Sequence, residues 1–518
     1  MASKSSMNLW CVPALAAALG AVGCGRADRE ADTLFVPIAE PILGIDPFHL
    51  ASMDMVNNVV YDSLIWYDYE TKETYPMLAK AWRRIDDKTL EFDLRDDVVF
   101  HDGTTFDADD VVATLSWLIH PDSIFPTQAL YRWIERVEKL GPYRVRIYGR
   151  EPRAGDLQNL SFPTRIFSAE LFEPLADKAD YGRRTPVGTG PYRVVELDRN
   201  KGIVLERNRD YRLGAPFKVP TIDRIHVKYV PDRFAQIAML LTGELHMAKD
   251  LAPDQTELLL ERAPHLRTTL SPGVVFAHIR FDSINRSGNA ALSDPRVRQA
   301  LIMAINRRNI ADYIVPGGEV QDAMCLPVQL ACGYTKRVPG YDPETSRRLL
   351  AEAGYPNGFS LEITTISDSN SIATAVASDL AAVGVRASVQ VVPDVTLQDR
   401  TQRGEVEVSL RTGGFGNGAG AHVFWSSNFG RPQNDYWNDP LLTETYRRGT
   451  VTVDDDERAA LYARGFDHVT ENFYMAPLVS VPTVFVHSKE IAITPNPLAL
   501  DGAYLYDIAW AQETASSD

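Results

Sequence analysis

The chain has 518 residues, 45% hydrophobic and 24% charged, with a formal net charge of −16. Single hydrophobic cores stop growing near ~250 to 300 residues, so two or three lobes are expected. The composition is globular and argues against a disordered chain or a polytopic membrane protein, and the acidity leaves no general basic field for a nucleic-acid backbone.

The amino terminus reads as an address. Lys4 precedes an apolar run of 13 residues, Trp10 to Val22, that ends in small residues, the pattern of a secretory signal. A spanning helix needs roughly 20 apolar residues, whereas this run stops at Arg26, Asp28, Arg29, Glu30 and Asp32. The stretch Ala21-Val22-Gly23-Cys24 is similar to a bacterial lipobox, with alanine where leucine is commoner. Residues 1–23 are therefore expected to be removed and Cys24 to become a lipid-modified amino terminus, held by several acyl chains. The alternative is an ordinary signal with an incidental cysteine.

Residues 33–38 (TLFVPI) predict a first strand, and Met53 to Trp66 carries Val56, Val59, Val60 and Leu64 at helical spacing. Leu90, Phe92 and Leu94 alternate with charged residues, which predicts a half-buried strand followed by a turn at HDGTTF. Asp107 opens a helix with acidic residues in its first turn, where the positive end of the dipole favours them. Farther on, Asp294-Pro295 and Asp342-Pro343 each supply an N-cap and a first-turn proline. The first of these helices would bury Val297, Leu301, Ala304 and Ile305, and the second stops at Gly354. Residues 359–392 read strand, helix, strand, with Val385, Ala387, Val389 and Val391 on one face, and this marks an α/β lobe. The acidic run at 454–458 predicts a helix start on the surface.

Four cysteines are present. Cys11 lies in the signal and Cys24 at its end, leaving Cys325 and Cys332 as an even, local pair in an exported chain, for which a disulfide is the natural reading. Two free thiols or half of a metal site are the competing readings, although no histidine or second cysteine pair nearby completes a zinc set. Among the ten histidines there is no HExxH motif, and the chain has no GxSxG elbow, Walker lysine or CxxC. No catalytic residue, metal or cofactor is assigned. The glycine-rich stretches PVGTGP (186–191) and GGFGNGAG (413–420) lack dinucleotide spacing and suit turns or close backbone approach.

Several longer pieces occur in a set order: IDPFHL (45–50), PMLAKAW (76–82), LEFDLRDDVVFHDGTTFDADDVV (90–112), PVGTGPYRVVELDRNKGIVLERNRDY (186–211), LSDPRVRQALIMAINRRNI (292–310) and LLAEAGYPNGF (349–359). Together they resemble the family 5 extracellular solute-binding proteins of ABC importers, which include dipeptide, oligopeptide and nickel binders. The resemblance implies an α/β, periplasmic-binding-protein-like fold of three lobes around a hinged cleft. Lobe I would comprise residues 31–75, 190–275 and 490–515, lobe II 76–189 and lobe III 276–489, with hinge crossings near 275 and 489. It further implies a non-enzymatic monomer outside the cytoplasm that carries a small polar or peptide-like solute to ABC permease subunits.

Peptide-binding members of that family resemble one another in a lobe III loop, where a tryptophan is followed three residues later by an aspartate that grips the ligand's α-ammonium. In this chain Phe415 stands for the tryptophan and Gly418 for the aspartate, so the amine clamp is missing. Arg411, Phe415, Asn417, His422 and Trp425 are the candidate ligand contacts, because aromatic walls with a few polar groups suit a small-molecule pocket. Two rival functions share parts of this picture: a receptor feeding a sensor or chemotaxis system, and an exported hydrolase, for which no nucleophile or metal constellation is found.

Overall fold

The computed structural model describes residues 32–45, 54–68, 71–123, 128–161, 164–184, 186–211, 220–273, 275–327, 329–414, 420–496, 499 and 501–511. The signal region and Cys24 lie outside them, as do Phe415, Asn417 and Gly418. Among the described residues no helix is long and apolar enough to cross a membrane.

The first strand, Thr33–Ile38, lies parallel to Arg224–Tyr229, and Gly202–Arg207 and Tyr192–Asp198 complete a four-stranded sheet. A second, antiparallel sheet has the order Ala79–Asp86, Thr89–Leu94, Arg144–Gly149, Ile134–Gly141. One apolar core joins the two through Leu34, Ile225, Leu90 and Phe92. The helix expected over 53–66 ends earlier. It spans Asp54–Val60, and Ile65–Asp68 instead forms a hairpin strand with Glu73–Pro76. Helical spacing was satisfied either way, and the cross-strand partner decides the outcome. Thr89–Leu94 is a strand as expected, yet it is not half exposed. Glu91 is buried beneath Arg83, Arg144 and Arg146, with Arg146 Nε donating to its carboxylate at 2.9 Å.

Two loops read as turns clasp one another. The His101 N–H donates to Gly188 O at 2.9 Å, and the His101 ring pairs with Gly190 O through Nε2, also at 2.9 Å. Burial pushes the His101 imidazole down to about 4, so the ring stays neutral and serves as a hydrogen-bonding strut. A Cβ on Gly188 would stand 2.0 Å from Val60 O, so glycine at this corner meets a need for close backbone approach.

A three-stranded sheet of Met247–Lys249, Thr483–Ser488 and Leu266–Ser271 leads into the third region. There a five-stranded sheet runs in the order Arg386–Val391, Ser360–Thr365, Val408–Gly414, Val275–Phe281, Met475–Ser480. The chain passes between these sheets after Ser271 and again after Ser480, and the crossings lie side by side, with Val481 N–H donating to Val275 O at 2.9 Å. Three capped helices fall where sequence chemistry put them. Ala108–Leu118 has Asp107 and Asp110 in a reciprocal capping box, Pro295–Ala304 is capped by Asp294, and Pro343–Glu352 by Asp342. The acidic run also starts a helix, Asp455–Glu471, but Arg458 in its first turn is buried and bonded to the carbonyls of Thr452 and Val453.

Candidate functional site

Strands Val275–Phe281 and Val408–Gly414 are antiparallel neighbours, in a register that sets Phe276 opposite Gly413, His278 opposite Arg411 and Arg280 opposite Ser409. Side chains on a strand alternate between faces. Ala277, Ile279, Phe281, Val408 and Leu410 enter an apolar core on one side. The opposite face presents His278, Arg280, Ser409 and Arg411 to a cavity of about 470 Å³, within the range of small-molecule sites. Helices Asp394–Arg403 and His422–Phe429 close it with Leu397, Gln398, Thr401, His422 and Asn428, and Leu130 reaches it from the second region.

Among the described residues the lining holds three arginines and two histidines and no aspartate or glutamate. Arg411 is neutralised by Asp394 at 3.1 Å, and Arg431 stands on the exposed rim. Burial pushes the His278 imidazole down to about 3, and the nearby Arg411 and Arg280 charges push it in the same direction. His422 falls to about 3 through burial, reinforced by Arg153 and Arg458. Both rings are therefore neutral at physiological pH and offer hydrogen bonds instead of charge. Desolvation also lowers Arg280, to about 10. His422 Nε2 is buried and has no hydrogen-bond partner among the described residues.

The cavity borders a contact between the second and third regions. Ala154 N–H donates to Thr450 O at 2.8 Å, and Gly155 lies so near His422 that an added Cβ would be 3.3 Å from its ring. Tyr67 touches Leu330 nearby. Leu330 belongs to the loop of Cys325 and Cys332, a pair placed for a disulfide with Cα atoms 5.7 Å apart. The Leu330 carbonyl accepts the N–H of Ala421 at 2.7 Å, tying that loop to the start of the helix that carries His422.

Of the residues singled out from sequence, Arg411 and His422 meet at this cavity. Trp425 does not line it. It is fully buried, stacked 5.3 Å from Tyr462 and 5.8 Å from Phe429, because the inward stripe of its helix runs through Ala421, Phe424, Trp425 and Phe429. Phe415 and Asn417 lie outside the described residues, immediately beyond the strand that carries Arg411. Sequence reading missed His278 and Arg280. A signal existed in VFAHIRF, where Phe276, His278 and Arg280 alternate with Ala277, Ile279 and Phe281, marking a strand whose second face is polar. Among the described residues no group of three or more His, Cys, Asp or Glu could hold a metal ion.

Residues 73–435 match the family described as bacterial extracellular solute-binding proteins, family 5 Middle. The glutathione-binding protein GsiB of Escherichia coli O1:K1 / APEC is 28% identical over 497 residues, covering 90% of this chain and 92% of that protein. GsiB of Salmonella typhimurium is 27% identical over 490 residues, covering 89% and 91%. The structure of NikA from Brucella suis in complex with Fe(III)-EDTA matches at a TM-score of 0.81 and 23% identity, over 92% of this chain and 100% of that one. DppA from Helicobacter pylori in complex with the peptide STSA matches at 0.74 and 22% identity, over 92% and 98%. The fold of this chain is the hinged, periplasmic-binding-protein-like α/β architecture of those proteins.

Proposed function

This chain belongs to the bacterial extracellular solute-binding proteins of family 5, and we propose that it is the capture component of an ABC importer, taking a small peptide-like solute at the cavity between His278, Arg280, Arg411 and His422 and passing it to permease subunits. The observation that carries this reading is the polar second face of the two central strands, left uncovered by core and enclosed by helices beside the contact between lobes. Support for the ligand class comes from the relatives named glutathione-binding proteins and from structural neighbours that hold peptides. The protein works by binding alone, as a monomer, with no cofactor. Its lobes move about the paired crossings that follow Ser271 and Ser480. Cys24 anchors the mature chain to a membrane through lipid, and the anchor keeps the binding lobes on the extracytoplasmic side.

Gly418 supplies no charge for a free α-ammonium, and the cavity lining contains no carboxylate. Ordinary dipeptides are therefore weak ligands. The better ones have an amine that is blocked, absent or held outside the cavity. Native mass spectrometry of freshly purified protein, followed by calorimetry with glutathione, N-acetylated peptides and free dipeptides, tests the reading. Micromolar or tighter binding of a peptide-like solute is expected. Turnover of peptide or ester substrates with no stoichiometric binding would overturn it in favour of an exported hydrolase.

A further inference from the structure

Three buried arginines of this protein are held mainly by backbone carbonyls. Arg298 is saturated by backbone carbonyls, donating to Leu292 O, Ser293 O and Asn472 O at 2.7 to 3.2 Å. Arg307 is held in the same way by the carbonyls of Gln321, Val338 and Pro339. Arg458 has Thr452 O, Val453 O and the Asp455 carboxylate. Each is a strut held by backbone carbonyls inside the fold. Arg280 differs. Its contacts are Asn428 Oδ1 and Thr401 Oγ1, both at 3.5 Å, and the Tyr436 ring 4.8 Å from its guanidinium carbon. That ring is shared with Arg286 at 4.6 Å, so a second cation sits where a counter-charge would be expected. Asp282, two residues on, accepts from Ser287 N–H and Oγ instead.

Removing a guanidinium from water without a partner is costly, and such a charge persists where a ligand completes it. The surroundings at Arg280 fit an anion. Arg411 is already paired, both histidines are neutral, the lining carries no carboxylate, and Arg153 adds positive field at His422 from the facing lobe. Arg153 Nε and His422 Nε2 are themselves buried without hydrogen-bond partners among the described residues. We infer that the solute carries a carboxylate, apart from its recognised peptide-like frame, that enters this cavity and pairs with the guanidinium of Arg280, which has no carboxylate partner among the described residues. One planar guanidinium matches one carboxylate through two parallel N–H···O bonds, and Thr401, Ser409 and His422 supply neutral hydrogen bonds around it. The inference rests on the solute-binding reading above and specifies the charge of the group that reading leaves open.

Calorimetry on the full-length mature protein tests it with matched probes: glutathione, and N-acetylated tripeptides that differ only in Glu against Gln at each position. At least one Glu probe is expected to bind about 30-fold or more tightly than its Gln isostere, the cost of leaving a buried charge unpaired. Arg280→Gln should erase that ratio and Arg280→Lys should restore part of it. Ser409→Asp, which sets a carboxylate opposite Arg280 in the strand register, should lower the ratio without removing the arginine. Equal binding of Glu and Gln probes by the wild-type protein, a comparison that needs no variant, overturns the inference while leaving the solute-binding reading intact. An undiminished ratio in Arg280→Gln overturns the assignment to Arg280. Failure of every probe to bind, with no solute retained on purification, overturns both.

Discussion

Asp62 is a buried carboxylate with neutral partners, accepting from Thr189 Oγ1 at 2.8 Å and from the Tyr211 hydroxyl at 3.1 Å. Burial dominates and raises its pKa from 3.8 to about 6, against the opposing pull of those two hydrogen bonds and the more distant Arg95. A raised folded-state pKa means that the native protein holds the proton more tightly than the unfolded chain. The associated stability is fully present below about 3.8 and is lost as pH rises through 6. At ~1.36 kcal/mol per pH unit, the loss is about 3 kcal/mol by pH 8. Asp62→Asn cannot ionise, and the Thr189 and Tyr211 hydroxyls can rotate to suit an amide. The variant should therefore match the wild type within about 1 kcal/mol at pH 4 and exceed it by about 3 kcal/mol at pH 8. Urea denaturation of both proteins at half-unit intervals from pH 4 to 8 measures the difference directly, and other titrating groups cancel in it. A difference that stays constant across that range would refute the assignment of this proton to Asp62.

Gly188→Ala would place a methyl 2.0 Å from Val60 O, a backbone atom that cannot swing aside. A loss of about 3 kcal/mol or more is expected in thermal melts, against under about 1 kcal/mol for Gly340→Ala, where an added Cβ meets nothing and the backbone is not left-handed. Replacing Cys325 and Cys332 together by serine should cost about 2 to 3 kcal/mol, the chain-entropy value for so short a loop, and two free thiols titrated in the unfolded, unreduced wild type would remove the bridge from the account. Metabolic labelling with palmitate should tag the protein through Cys24, and labelling that persists in Cys24→Ala would sink the lipid anchor.

Local chemistry was legible. Asp294-Pro295 and Asp342-Pro343 fix helix starts within one turn of chain, so their caps appear where the sequence puts them. The strands at 33–38, 89–94 and 360–365 follow from apolar patterning in the same way. Non-local pairing was not legible. The segment Ile65–Asp68 becomes a strand because Glu73–Pro76 lies beside it, and Glu91 can be buried because Arg83, Arg144 and Arg146 arrive from two neighbouring strands.

The site divides along the same line. Arg411 and His422 were accessible to sequence reading because they flank a glycine-rich loop whose family resemblance drew attention to it. Trp425 was drawn in with them, yet it packs into the core against Tyr462, Phe466 and Phe429. A tryptophan near a cleft and a tryptophan in a core have the same local sequence, and only the burial of the Ala421, Phe424 and Phe429 stripe separates them. His278 and Arg280 lie more than a hundred residues earlier, and what makes them part of the site is one antiparallel register, His278 against Arg411 and Arg280 against Ser409. A strand with a strictly apolar first face and a His, Arg second face in the middle of a sheet needs either a polar cover or a ligand. Here the covering helices supply Asp394 to Arg411, and Thr401, Gln402, Ser426 and Asn428 around the rest of the face, so it is the charge of Arg280 that is left for a solute to complete.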